Sequence, residues 1–89
     1  MALLDLLGRR WALRIVWELR DAPLTARALR AACDEASPTV LNSRLGDLRE
    51  AGLVEHRPTE GYALTGLGLE LLDVFAPLYA FADRWAKTS

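Results

Sequence analysis

Three short polar residues, Thr39, Asn42 and Ser43, fall at i, i+3 and i+4, directly after the dipeptide Ser37-Pro38. On a helix this spacing gathers them on one face. Their chemistry suits the edges of base pairs. An Asn carboxamide donates and accepts at once and can pair with adenine, while Ser and Thr hydroxyls can bond a base or a phosphate. Arg44 stands at the edge of the same face. The candidate DNA contacts are therefore Ser37, Pro38, Thr39, Asn42, Ser43 and Arg44, with Arg27 for a phosphate and Arg57 for a phosphate or the minor groove. The competing reading is an ordinary solvated helix face. From Gly8 to Ala32 the chain places six arginines (Arg9, Arg10, Arg14, Arg20, Arg27, Arg30) against only Glu18 and Asp21. Of these, Arg9, Arg10, Arg27 and Arg30 could contact phosphate, and such contacts set affinity and register, not sequence preference. The competing use of each arginine is solubility.

Other chemistries are hard to build from this chain. It has one histidine, His56, which alone makes neither a metal site nor a catalytic pair. It has one cysteine, Cys33, so no disulfide forms within the chain and a four-cysteine metal site is excluded. Cys33 is expected to be a small buried hydrophobe at a helix end. A redox switch there would need exposure and a lowered pKa. No phosphate loop or nucleophile–base set can be drawn, so no enzyme and no cofactor are expected.

The formal net charge is −1, which by itself does not favour a nucleic-acid partner. The distribution is uneven, because Pro58 onward carries Glu60, Glu70, Asp73 and Asp83 against Arg84 and Lys87. No apolar run approaches the roughly 20 residues that cross a bilayer. The stretch Met1 to Leu7 is short and carries Asp5, unlike a signal peptide. The expected setting is the cytoplasm, with no membrane partner.

The elements that must position these residues follow from periodicity. With 52% hydrophobic residues over 89 positions, one compact domain spanning 1–89 is expected. Trp11, Ala12, Ile15, Val16 and Leu19 make one face of a first helix, which Asp21-Ala22-Pro23 ends. Leu13 and Trp17 lie on another side of it. Thr25 caps a short helix to about Ala32, with Ala28, Leu29 and Ala32 inward, and Asp34-Glu35-Ala36 is a tight connection. Ser37 offers a capping hydroxyl and Pro38 the first position of the next helix, which runs to Ala51 and stops at Gly52. Leu41, Leu45 and Leu48 anchor it. Leu53 to Arg57 and Tyr62 to Leu64 form a hairpin around Pro58-Thr59-Glu60-Gly61, with Arg57 at its base.

From Gly66 the pattern is helical again. Leu67, Leu71, Val74, Leu78, Phe81 and Trp85 form a heptad-like stripe, beside a second of Leu72, Phe75, Tyr79 and Ala82. One small domain cannot cover both stripes. Pro77 is expected to kink or split this helix. The class is mainly α with a small β-hairpin, in the order of a winged helix-turn-helix.

Four segments carry a family resemblance: Leu7-Gly8-Arg9-Arg10-Trp11, Ser37 through Leu45, Leu48 through Val54, and Tyr62 through Gly68. Together they resemble the HxlR-type regulators, relatives of the MarR group. The resemblance implies a winged helix-turn-helix transcription regulator that binds double-stranded DNA as a homodimer, paired through its first and last helices. A C-terminal dimerisation helix over about 66–87 follows. The interface candidates are Leu13, Trp17, Leu71, Val74, Leu78, Phe81 and Trp85. The chain departs from the family in a less basic recognition helix, a shorter wing and the absence of the N-terminal cysteine some members use for sensing. A small aromatic effector lodged among Trp11, Trp17 and Trp85 is conceivable, though nothing requires one. The alternative function is a winged-helix module that binds protein rather than DNA.

Overall fold

The computed structural model describes residues 2–88. In chain order the elements are α1 (Ala2–Leu7), α2 (Ala12–Glu18), α3 (Ala26–Ala32), α4 (Pro38–Glu50), β1 (Val54–Arg57), β2 (Gly61–Leu64) and α5 (Gly66–Thr88). This is the winged helix-turn-helix order. The helix α1 is additional to the sequence expectation, which began the helices at Trp11. It turns into α2 through Gly8–Trp11, where Trp11 takes a left-handed backbone (φ 73°).

The turn between α3 and α4 is tight because two successive residues, Asp34 (φ 56°) and Glu35 (φ 57°), are left-handed. Backbone bonds from Asp34 N–H to Ala31 and from Glu35 N–H to Arg30 close it. Thr25 caps α3 as expected, accepting from Ala28 N–H at 3.1 Å. Ser37 does not cap α4 with its side chain. Its carbonyl accepts from Leu41 N–H at 2.9 Å, while Pro38 at the first position has no N–H that needs a partner. At the other end Gly52 (φ 79°) supplies the left-handed stop.

Ile15, Val16, Leu29, Cys33, Leu45 and Leu48 are essentially inaccessible and form the centre of the core. Leu6, Leu41, Leu53, Val54, Leu64 and Phe75 complete it. The hairpin pairs Val54 with Leu64 and Arg57 with Gly61, which puts Arg57 at the turn end of β1 and not at the base. Leu24 adds a single bridge to Tyr62, with bonds of 2.9 and 2.8 Å in the two directions. Gly61 is required there: a Cβ would stand 2.4 Å from Leu24 O, and its φ is 98°.

The helix α5 starts on Thr65, whose hydroxyl donates to Gly52 O (2.6 Å) and accepts from Gly68 N–H (3.1 Å). Its two stripes divide the work. Phe75 is buried, with Leu72 and Tyr79 packed beside it, while Val74, Leu78, Phe81 and Trp85 face outward. Pro77 does not split the helix, which runs unbroken across it. Proline removes only the bond to the carbonyl of Asp73, and both residues lie on the exposed side where water can satisfy that oxygen.

Candidate nucleic-acid interface

Leu41, Leu45 and Leu48 hold α4 down on the core. Its opposite face presents Thr39, Asn42, Ser43, Gly46, Arg49 and Glu50, all exposed. With Ser37 and Pro38 also exposed, the first turn of α4 is open to a partner. Arg49 was not among the sequence candidates. The signal was available: it lies i+3 from Gly46 and i+7 from Asn42, so the helical period places it on the same side.

Arg44 is half-buried and engaged within the fold. Its Nε donates to Arg10 O (3.1 Å) and its Nη1 to Asp47 Oδ2 (2.7 Å). Asp47 also takes Arg9 Nη1 at 2.9 Å. One carboxylate thus bolts the α1–α2 turn to the recognition helix. Local periodicity could not show this, because the bolt joins positions 38 residues apart.

The N-terminal arginine excess is largely spent inside the fold. Arg14 bonds Glu18 (2.7 Å) and Ala32 O (2.7 Å), which holds its charge more firmly than usual, chiefly through the Glu18 bond. Arg30 donates to Ala36 O at 3.0 Å and so ties the α3–α4 turn. Arg20 donates to Trp17 O and lies 4.2 Å above the Trp17 ring. Arg27 and Arg49 are exposed and have no ion pair among the described residues. Arg57 on the wing is paired, and its bond to Glu55 raises its pKa.

A short, tightly turned helix pair that offers an exposed polar face, followed by a hairpin, is the geometry of groove reading. The HxlR-like helix-turn-helix family model matches residues 6–89. The chain belongs to the HxlR-like helix-turn-helix family. Quinone-bound YodB from B. subtilis is 32% identical, with a TM-score of 0.80 over 91% of this chain and 91% of YodB. A protein from Thermoplasma volcanium GSS1, described as a possible HxlR family transcriptional factor, is 28% identical, with a TM-score of 0.88 over 94% and 81%. A protein from Enterococcus faecalis V583 assigned to the MarR family of regulators is 26% identical, with a TM-score of 0.80 over 96% and 83%. The search of curated proteins finds no match.

As an HxlR-like protein the chain is a DNA-binding transcriptional regulator and not an enzyme. Among the described residues no helix is long and apolar enough to cross a membrane. In this HxlR-like chain Cys33 is fully buried, and burial pushes its thiol pKa up despite the nearby Arg14 charge. A raised thiol pKa and no access make a poor nucleophile. Cys33 is therefore expected to resist iodoacetamide in the native protein and to label only as fast as the chain opens, as mass spectrometry along a urea series can follow. Prompt labelling without denaturant would contradict that. The three tryptophans have separate surroundings. Trp11 carries Arg10 at 5.6 Å, Trp17 stacks on Tyr79 with centroids 4.1 Å apart, and Trp85 is 63% exposed. Leu13, Trp17 and Leu71, named above as interface candidates, are half-buried against their own core.

Proposed function

We propose that this regulator is a cytoplasmic homodimer that reads a specific double-stranded DNA sequence through the exposed face of α4. The observation that carries this reading is that face itself. Its first turns carry Thr39, Asn42 and Ser43, which are small, hydrogen-bonding and exposed, while the leucines behind them are buried in the core. Thr39, Asn42 and Ser43 would meet base edges. Ser37 and the start of α4 would meet phosphate, since Pro38 opens the helix and its first N–H groups have no side-chain cap. Arg27 and Arg49, exposed and without an ion pair among the described residues, would bind phosphate. In a two-fold dimer the two α4 helices would enter successive major grooves roughly 34 Å apart. Regulation would follow from occluding or recruiting at a promoter, with no chemistry on the DNA.

Gly46 gives this reading an internal check. Mid-helix glycine costs roughly 1 kcal/mol relative to alanine. Nothing lies within 4 Å of where its Cβ would be, so packing within the chain does not ask for it. The bare backbone there lets a partner come close. Gly46→Ala should therefore raise stability by about 0.5–1 kcal/mol and lower DNA affinity. Thermal melting and fluorescence anisotropy measure the two effects, and a stabilised variant with undiminished affinity would count against groove contact at this position.

The direct test is selection of preferred duplexes from a random pool, followed by binding at several salt concentrations. Affinity should fall steeply with salt as counterions are released. Replacing Asn42 and Ser43 together with alanine should relax the selected sequence, at about 1–3 kcal/mol per lost base contact. An unchanged preference would remove both as readers, and a pool that enriches nothing even at low salt would end the DNA reading. A second reading, a winged-helix module for protein partners, draws on the many arginines already spent inside the fold. Stoichiometric capture of one protein with no retention on DNA would favour it.

A further inference from the structure

The wing carries a charge arrangement that the face of α4 does not use. Arg57 ends β1, opposite Gly61 and beside the turn. Its Nε donates to Glu55 Oε2 at 2.8 Å, and its Nη1 lies 3.5 Å from Glu60 Oε2. The three side chains are 41%, 46% and 54% exposed, so this is a surface cluster and not a buried one. Glu55 shares a strand face with Arg57 two residues back, and Glu60 approaches from the turn. Carboxylates thus meet the guanidinium from two sides, and the tip holds two negative charges against one positive. A phosphate reaching for Arg57 must displace partners already in place and must also approach their charge. Exposed pairs of this kind are individually weak, so neutralising the carboxylates should release the arginine.

We propose that Arg57 is a latent phosphate contact, held off the DNA backbone by Glu55 and Glu60, so that the wing restrains affinity instead of supplying it. The proposal rests on the DNA-binding reading of α4 given above. It identifies Glu55 and Glu60 as residues that set how tightly that reading is expressed. It also gives the short wing a role: a tip of three residues, Pro58, Thr59 and Glu60, brings the turn carboxylate within reach of the strand arginine.

The test uses the whole protein and a duplex selected by the wild type, with anisotropy titrations across a salt series. Glu55→Gln together with Glu60→Gln should bind about tenfold more tightly at moderate salt, through a new charge-assisted contact. The slope of log affinity against log salt should steepen by about one, the signature of one added phosphate contact. Arg57→Ala in the wild type should change affinity by less than about twofold, because the arginine is not engaged. Arg57→Ala in the double-glutamine background should abolish the gain and restore the slope. Melting temperatures should stay together, since all three residues are on the surface. Unchanged affinity and slope in the double-glutamine variant would overturn the proposal. So would a gain that survives removal of Arg57, which would be general charge relief. A tenfold loss in Arg57→Ala alone would overturn it too, by showing the contact already made. A wild type that binds no duplex at low salt would instead bring down the DNA reading, and this proposal with it.

Discussion

Gly68→Ala is expected to destabilise the protein by about 3 kcal/mol or more, lowering its melting temperature by at least about 12 °C. A Cβ at this position would lie 2.1 Å from Leu53 O, and also 3.2 Å from Leu53 C and from Leu64 Cδ2. The first of these is a backbone atom. It belongs to the segment leaving α4, and it already accepts from Thr65 N–H at 3.1 Å. Relief therefore means moving α5 away from the end of α4, which also strains the Thr65 cap. Helix propensity pulls the other way by roughly 1 kcal/mol, but a clash with backbone outweighs it. A domain of this size holds only about 4–13 kcal/mol in total, so the loss is a large share. Gly46→Ala is the matched control, being the same change in another helix with open space around it. Thermal denaturation followed by circular dichroism should move the two variants in opposite directions. A Gly68→Ala melting point within about 2 °C of wild type would show that α5 does not press this closely on Leu53 O.

Much of the fold and of the candidate site was legible in the residues, for local reasons. Ser37-Pro38 and Gly52 bracket α4, and the Leu41, Leu45 and Leu48 period says which side goes down. The outward face is then what remains. Three features could not be read this way. The short helix α1 is six residues long and shows no second turn of pattern to recognise. Arg44 looked like a groove residue because helical spacing puts it near the polar face, yet Asp47 and Arg10 O draw it back into the fold. The double stripe on α5 announced excess apolar surface, but not which stripe belonged to the core. That depended on Trp17 of α2 stacking against Tyr79, a contact between positions far apart in the chain.

The outward stripe leads to the other large effect. Phe81→Asp should convert the proposed homodimer, at micromolar concentration, into a monomer, visible in sedimentation. Val74, Leu78, Phe81 and Trp85 are 78%, 52%, 52% and 63% exposed, and Leu4 on α1 is 69% exposed. Every residue from Ala80 to Thr88 is exposed, so the apolar side of this last stretch, with Phe81 and Trp85, faces outward. A terminal segment of that length is marginal as a helix in water unless its apolar side is packed. In the proposed homodimer a second copy would supply such packing with the same stripe, because two-fold pairing is self-complementary. An aspartate at position 81 would place an unpaired charge in the middle of that contact, which costs several kcal/mol if buried. DNA affinity should then fall by about a hundredfold or more, although no residue of α4 has changed, because each α4 must find its half-site alone. Far-UV dichroism should also lose helix as the end of α5 frays. This combination separates dimer loss from damage to the reading face, since the selected sequence of a half-site should stay the same. A wild type that sediments as a monomer at micromolar concentration, or a Phe81→Asp variant that remains dimeric, would leave the outward stripe of α5 without the partner argued for here.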